Sequence, residues 1–112
     1  MITLHQIRRV AGELPGSVEG TAYGTPAFRV ARKIFLRVHD KEDAVVVFLD
    51  SVEQHEKLIS EDPDTYYITP HYEGYAAVLV RRSIAMSDFR EIVLTEWKRV
   101  ARKKDLAEFE SR

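Results

Sequence analysis

Six consecutive apolar residues, Ala44 to Leu49, restrict the fold of this chain more than any other feature of its sequence. The run is far too short for a membrane-spanning helix, which needs about 20 apolar residues. A strand without a polar face has to be covered on both sides. The run therefore predicts a central β-strand that is covered on both faces, or a strand whose outer face belongs to an interface.

The other predicted strands occur in pairs, and this pairing indicates an antiparallel sheet. Residues 28–30 and 34–38 are rich in β-branched and aromatic side chains. The turn between them, residues 31–33, is predicted to be tight although it lacks the Gly or Asn that such turns prefer. The remaining predicted strands lie at residues 65–69, at residues 75–80 and, as a short addition, near residues 19–23.

Capping residues and a helical period of apolar residues predict three helices. The first follows Thr3, with Gln6 three residues later as the capping-box partner, and the second opens at Asp50-Ser51, where Glu53 and Gln54 are placed to complete a capping box. Ser87 or Asp88 begins the third. The predicted order is α-β-β-β-α-β-β-α in a single domain, residues 1–112. We therefore expect a two-layer α+β fold, with helices on one face of an antiparallel sheet of about five to six strands.

The chain has 112 residues and no cysteine, and this length fits one domain. The absence of cysteine excludes a disulfide scaffold, a thiolate zinc site and a cysteine nucleophile. Residues 1–10 mix apolar with charged side chains and contain no signal-peptide run. A soluble cytoplasmic protein without a membrane association is the default expectation.

Charge is strongly segregated along the chain, although the formal net charge is only −1. Residues 1–39 carry a net charge of +4, residues 40–77 carry −8 and residues 78–112 carry +3. A near-neutral total argues against a strongly basic nucleic-acid binder. The segregation weakens that exclusion, because it leaves room for a local basic surface.

Two groups of basic residues are candidates for contacts with phosphates. Lys and Arg side chains that neutralise phosphates supply most of the sequence-independent affinity for nucleic acids. The candidate nucleic-acid-binding residues are Arg29, Arg32, Lys33, Arg37, Arg81 and Arg82. An alternative explanation is that the charges of this hairpin protect an edge of the sheet against aggregation, as charged residues commonly do. A third basic group, residues 98–104, is explained by the favourable position of cations at a helix C-terminus.

No pattern in the sequence predicts a catalytic or cofactor site. The chain has neither a phosphate-binding glycine loop nor a nucleophile elbow, and its four histidines are scattered. Acidic residues crowd the turns at 40–43 and 61–64, but their spacing lacks an EF-hand pattern. The aromatic residues on or beside the predicted strands are expected to pack in the core rather than to stack on bases; they are Phe28, Phe35, Tyr66, Tyr67, Tyr72 and Tyr75. Enzyme activity is therefore unsupported, and no catalytic residue, metal ligand or cofactor is assigned.

Residues 24–35, with the sequence GTPAFRVARKIF, resemble the G-x-P-x-F-x-V-x-x-K-x-F stretch of the MmcQ/YjbR-like family. The stretch YITPHYEGYAAVLV at residues 67–80 and the last helix with Trp97 are similar to further blocks of that family. The resemblance covers nearly the whole chain. It implies a compact α+β domain, similar in architecture to frataxin-like folds, with a double-wing arrangement and a DNA-binding role.

Residue by residue, Lys33 matches the family's lysine, and Arg29 and Arg32 lie in the same block. The family often has a glycine where Ala31 or Arg32 stands in this sequence. It often has a lysine–tryptophan pair where Gly74-Tyr75 stands, so the second hairpin departs from the pattern.

Three hypotheses for the function follow. The first is sequence-independent, salt-sensitive binding of double-stranded DNA by the basic hairpin and the strand end at residues 81–82. The second is an interaction module without catalytic activity, which binds a protein partner or a small ligand through the acidic middle segment and the strand at residues 45–49. The third and weakest is metal binding through the acidic turns, by analogy with frataxin-like folds. Convergence of the six basic residues on one face favours the first hypothesis, and interleaving with the acidic turns weakens it.

Overall fold

The computed structural model describes the whole chain, residues 1–112, as a six-stranded antiparallel sheet with helices packed on one face. The strands are β1 (Val18–Ala22), β2 (Thr25–Val30), β3 (Lys33–Val38), β4 (Ala44–Phe48), β5 (Tyr66–Tyr67) and β6 (Ala77–Arg81). The α-helices are α1 (Leu4–Ile7), α2 (Val52–Glu61), α3 (Met86–Val100) and α4 (Lys103–Glu110). A π-helical turn (Arg8–Gly12) follows α1, and a 3₁₀ turn (Pro70–Tyr72) precedes β6. The predicted α+β class and antiparallel sheet are confirmed.

Strand β4 lies inside the sheet, whose strand order is β1-β2-β3-β4-β6-β5. The residues from Ala44 to Val47 are all buried, because β3 and β6 flank the strand and apolar side chains cover both of its faces. The predicted central strand is therefore confirmed. The short strand expected near residues 19–23 is β1, at one edge. The strand predicted at 65–69 shortens to Tyr66–Tyr67 at the other edge.

Two tight turns join β1 to β2 and β2 to β3. Tyr23 and Gly24 have φ angles of 54° and 78°, and Ala31 and Arg32 have φ angles of 52° and 68°. Positive φ at both central residues is typical of the type I′ turn, whose twist matches that of the flanking strands. Left-handed backbone costs a residue other than Gly about 1–2 kcal/mol. The second hairpin turn therefore forms in spite of its sequence, because the strands on either side pair.

The main core fills the space between the sheet and the helices. Its largest fully buried side chains include Trp97, Phe28, Phe35 and Phe89. Phe89 and Trp97 lie at helical spacing on α3, and both face the sheet. A register shift opposite the middle of β2 turns both Phe35 and Leu36 of β3 toward the helices. Packing in this core holds α3 across the sheet, and it therefore sets the position of the C-terminal end of α3.

Two of the three predicted helix caps are confirmed. Thr3 and Ser51 each form a capping box with the Gln three residues later. The cap predicted at Ser87 or Asp88 is wrong, because α3 begins at Met86 after Ala85 and has no side-chain cap. The chain turns soon after β6, and the N-cap position, Ala85, lies two residues before Ser87.

The structure contains four α-helices, whereas the sequence predicted three. The backbone breaks at Ala101 (ψ 150°), and α4 follows as a separate helix. The ring of Phe109 packs against Trp97 with centroids 5.3 Å apart, which anchors this C-terminal helix. None of the helices combines the length and apolar character that crossing a membrane requires.

The sheet face opposite the helices, which we call the outer face, carries a second and smaller apolar cluster. Its buried members are Ala44, Val46, Tyr72, Ala77 and Leu79. The segment at residues 68–76 supplies Tyr72 and passes over β4 and β6. Apolar cover on this second face explains why β4 has no polar side.

Candidate binding surfaces

The six predicted basic residues are divided between two ends of the sheet. Arg32 and Lys33 lie exposed at the turn between β2 and β3, close to the half-buried Arg29. Arg81 lies beside Ala44, at the opposite end of the strands. With a rise of about 3.3 Å per residue, the register puts Lys33 and Arg81 roughly 20 Å apart. The six residues therefore do not converge on one surface.

Arg81 and Arg82 interleave with the acidic turn between β3 and β4. Arg82 Nε lies 3.6 Å from a carboxylate oxygen of Asp43. The Arg81 guanidinium lies 4.1 Å from the centre of the Tyr67 ring, whose hydroxyl donates to Glu42 at 3.1 Å. Burial and the hydrogen bond to Glu42 raise the pKa of Tyr67 to about 12. The acidic turn thus offsets the positive charge at this end of the sheet.

Arg37 is buried on the outer face, with only 6% of its surface exposed. Its Nη2 donates to the Tyr72 hydroxyl at 2.8 Å, and its Nη1 donates to the Val38 carbonyl at 3.2 Å and to the Thr25 hydroxyl at 3.5 Å. The Tyr23 ring centre lies 5.0 Å from the guanidinium. The predicted contact with a DNA backbone requires an exposed side chain, so this burial argues against that role for Arg37.

The junction of α3 and α4 lies at the same end of the molecule as the turn between β2 and β3. Arg99 Nη2 donates to the carbonyl of Phe48, the last residue of β4, at 3.3 Å. Asp105 packs against Gly16, where an added Cβ would lie 2.5 Å from the carboxylate oxygen. Gly16 leads into β1, the strand that pairs with β2. These contacts place the basic helix junction at the same end of the sheet as the basic hairpin.

We call this combined surface the basic end. Its members are Arg29, Arg32, Lys33, Lys98, Arg99, Arg102, Lys103 and Lys104. Arg99 pairs with Glu96, and Arg102 pairs with Asp105, both at 2.8 Å. The other members form no ion pair. In the sequence, residues 98–104 were explained by compensation of the helix dipole alone, because no local signal shows that this distant helix end lies at the same end of the sheet as the hairpin.

The aromatic side chains divide between the core and the surface. Phe28, Phe35 and Tyr72 are buried, which confirms the predicted core packing for these three. Tyr75 is 57% exposed, and the prediction is wrong for it because it lies in the turn that precedes β6. Tyr23, which the sequence analysis did not single out, is 84% exposed. Exposed rings therefore flank the outer face.

The histidines do not assemble into a metal site. His55 is buried, and its Nδ1 lies 2.9 Å from the Ala77 carbonyl oxygen, as expected for a packed histidine. His39 Nδ1 accepts hydrogen bonds from the backbone N–H groups of Lys41 and Glu42. No group of three or more His, Cys, Asp or Glu side chains has an arrangement that could hold a metal ion. The metal-binding hypothesis therefore has no cluster to support it.

The model of the YjbR family matches residues 12–99, which is most of the chain. The chain belongs to the YjbR family. The uncharacterized protein Rv2570 of Mycobacterium tuberculosis is 31% identical to this YjbR protein over 115 residues, and the match covers 87% of each chain. The uncharacterized protein Mb2600 of Mycobacterium bovis matches with the same identity and coverage.

The crystal structure of the Deinococcus radiodurans protein DR2400, with a DUF419 domain, has a similar fold. Its TM-score to this YjbR protein is 0.74 at 21% identity, over 93% of this chain and 82% of that chain. The family resemblance carried by residues 24–35 is thus confirmed, and the solved neighbour supports the fold. The names of these relatives assign no activity, so the function has to be argued from the surfaces.

Proposed function

We propose that this YjbR protein binds double-stranded DNA without sequence preference and contacts the phosphates through the basic end. The observation that carries the proposal is the location of the β2–β3 turn and the α3–α4 junction at the same end of the molecule. Cations that neutralise phosphates release counterions, and this release drives sequence-independent binding.

The charge balance of the basic end supports contact with a polyanion. Glu96 and Asp105 neutralise two of its members, and the remaining cations have no carboxylate partner. Glu53 lies in the first turn of α2, on the side of β4. We therefore expect the DNA to lie across the side of β1, β2 and β3, away from the start of α2.

This proposal changes half of the contact set predicted from the sequence. It keeps Arg29, Arg32 and Lys33 and replaces Arg37, Arg81 and Arg82 by Lys98, Lys103 and Lys104. The replaced residues are buried or lie beside acidic groups, whereas the three lysines are exposed.

Fluorescence anisotropy of a labelled duplex at a series of salt concentrations tests the proposal. Each phosphate contact contributes about −0.9 to the slope of log K against log salt concentration. The double variant Arg32→Gln/Lys33→Gln removes two proposed contacts, so its slope should be less negative by about 1.8.

A matched control separates the basic end from net charge alone. The variant Arg9→Gln/Arg90→Gln removes the same charge from exposed positions around the groove between the π-helical turn and α3. Its slope should equal that of the wild type, as should the slope of Arg81→Gln. Equal changes in both double variants contradict the assignment to the basic end. An absence of binding by the wild type at about 50 mM salt refutes DNA binding itself.

A further inference from the structure

Arg37 is a buried cation without a carboxylate partner. None of the ion pairs in the structure includes it, although it is only 6% exposed. Its hydrogen bonds all go to uncharged oxygens, on Val38, Tyr72 and Thr25. A buried charge is normally paired, because moving an uncompensated charge out of water is costly. The fold therefore holds a positive charge that no side chain of this protein neutralises.

The guanidinium of Arg37 keeps a donor for a further acceptor. Nε donates to no protein atom. The only polar side-chain atoms that are both fully occluded and without a partner are Ser17 Oγ and Arg82 Nε, so Arg37 Nε keeps access to solvent. Arginine commonly binds a carboxylate through two parallel N–H groups on neighbouring nitrogens. In Arg37, Nε and the adjacent Nη2 carry the two parallel N–H groups that could bind a carboxylate in this way.

Planar rings surround Arg37, and an acidic side chain lies near its neighbour His39, whose Nδ1 is 3.5 Å from Asp40 Oδ1. The Tyr23 ring lies 5.0 Å from the guanidinium, on a tight turn that leaves it 84% exposed. Tyr72, the hydrogen-bond partner of Arg37, also contacts the ring of His71 at 4.9 Å. Burial and the charge of Arg37 lower the pKa of the neighbouring His39. A ligand at this place therefore meets aromatic surfaces and the guanidinium of Arg37, which forms no ion pair with the acidic turn.

We propose that Arg37 and Tyr23 form a binding site for a small carboxylate attached to a planar ring. The carboxylate accepts hydrogen bonds from Nε and Nη2, and the ring of the ligand stacks on Tyr23. A carboxylate fits better than a phosphate, since its single charge balances one guanidinium and its two oxygens match two donors. The exposed Tyr23 is free to adjust to the ligand. This site lies at the end of β3 away from the basic end, so it is independent of DNA binding.

An NMR titration with benzoate tests this site, with cyclohexanecarboxylate and inorganic phosphate as comparison probes. Benzoate should shift the resonances of the Arg37 Nε–H group and of the Tyr23 ring, with a millimolar dissociation constant. Cyclohexanecarboxylate carries the same charge without a planar ring, and it should bind about fivefold more weakly because stacking is lost.

Two variants assign the binding to named side chains. Tyr23→Ala should weaken benzoate binding about fivefold and leave cyclohexanecarboxylate binding nearly unchanged. Arg37→Lys keeps the charge but loses the paired donors, and it should weaken benzoate binding by about tenfold or more. Because Arg37→Lys also removes buried hydrogen bonds, the exposed Tyr23→Ala position provides the test that does not depend on folding. Arg81→Lys, at the other arginine–tyrosine contact, is the control and should bind benzoate like the wild type.

Each contrary outcome is distinct. An absence of shifts at Arg37 and Tyr23 with about 20 mM benzoate overturns the site. Equal benzoate affinity in the wild type and in Tyr23→Ala overturns the stacking role, and tighter binding of phosphate than of benzoate overturns the carboxylate assignment. The salt slope of DNA binding should be unchanged in Tyr23→Ala, so failure of this site leaves the test of the basic end intact.

Discussion

Relief of the left-handed backbone at the turn between β2 and β3 should stabilise the protein. Ala31 and Arg32 hold φ angles of 52° and 68°, where Gly and Asn are the usual residues. The variant Ala31→Asn/Arg32→Gly supplies the pair that type I′ turns prefer. Nothing else in the fold has to change, since both residues occupy the two-residue loop between paired Val30 and Lys33.

The size of the effect follows from two opposing terms. Left-handed backbone costs a residue other than Gly about 1–2 kcal/mol. Gly at position 32 removes this strain, and Asn at position 31 reduces it. Gly at position 32 adds freedom to the unfolded chain, which costs about 0.4–1 kcal/mol. We expect a net gain of about 1–2 kcal/mol for the double variant. For a domain of this length, the melting temperature Tm should rise by about 4 °C for each kcal/mol.

Thermal unfolding followed by circular dichroism measures this gain, and urea unfolding with an unchanged m-value confirms that stability itself has changed. Ala107→Asn is a matched control at an exposed position within α4, where Asn should destabilise by about 0.5 kcal/mol. If Tm is unchanged or lower in the turn variant, the strain argument is refuted. The same turn carries a proposed phosphate contact at Arg32. We therefore expect Arg32→Gly to weaken DNA binding, whereas Ala31→Asn stabilises the fold and leaves DNA binding intact.

Two further predictions concern ionisable groups. The hydrogen bond from Arg102 holds the pKa of Asp105 below its usual range, so the ionised carboxylate stabilises the fold at neutral pH and loses this effect as the pH falls through the lowered pKa. Asp105→Asn should therefore have a lower urea midpoint than the wild type near neutral pH, and the difference between the two midpoints should shrink as the pH falls below the ordinary aspartate range; a constant difference contradicts the linkage. For Tyr67, the variant Glu42→Gln should lower the pKa of about 12 only part of the way toward the ordinary tyrosine value, because burial is the larger cause. An ultraviolet absorbance titration measures this shift, and an unchanged pKa would show that the hydrogen bond to Glu42 has no role.

Local signals predicted the parts of the fold that depend on local physics. The apolar run at residues 44–49 indicated a central strand, because no other element buries both faces over so short a length. The capping boxes at Thr3 and Ser51 depend on residues three apart, and both were found where the sequence predicts them. The separate helix α4 was missed, because it depends on contact between Phe109 and Trp97 rather than on a cap.

The candidate sites were less accessible from the sequence, because both depend on contacts between distant segments. The sequence contains the hairpin cations and the cations at residues 98–104, but only the packing of α3 across the sheet places them together. Arg37 lies between the apolar residues Leu36 and Val38 in β3, a pattern that is typical of a residue on an exposed strand face. It is buried because the segment that carries Tyr72 covers that face. The only sequence signal for the burial of Arg37 was the presence of a charged side chain in the interior of a predicted strand.

The hydrogen bond between Arg37 and Tyr72 has a consequence for the order of folding. It joins residues 35 positions apart, whereas the turns between β1, β2 and β3 close over two residues each. Short loops close with little loss of chain entropy, and distant contacts are slow because that entropy is lost before the contact forms. We expect β1 to β3 to assemble first and the segment over the outer face to settle last, so that the surface around Arg37 is completed at the final stage of folding.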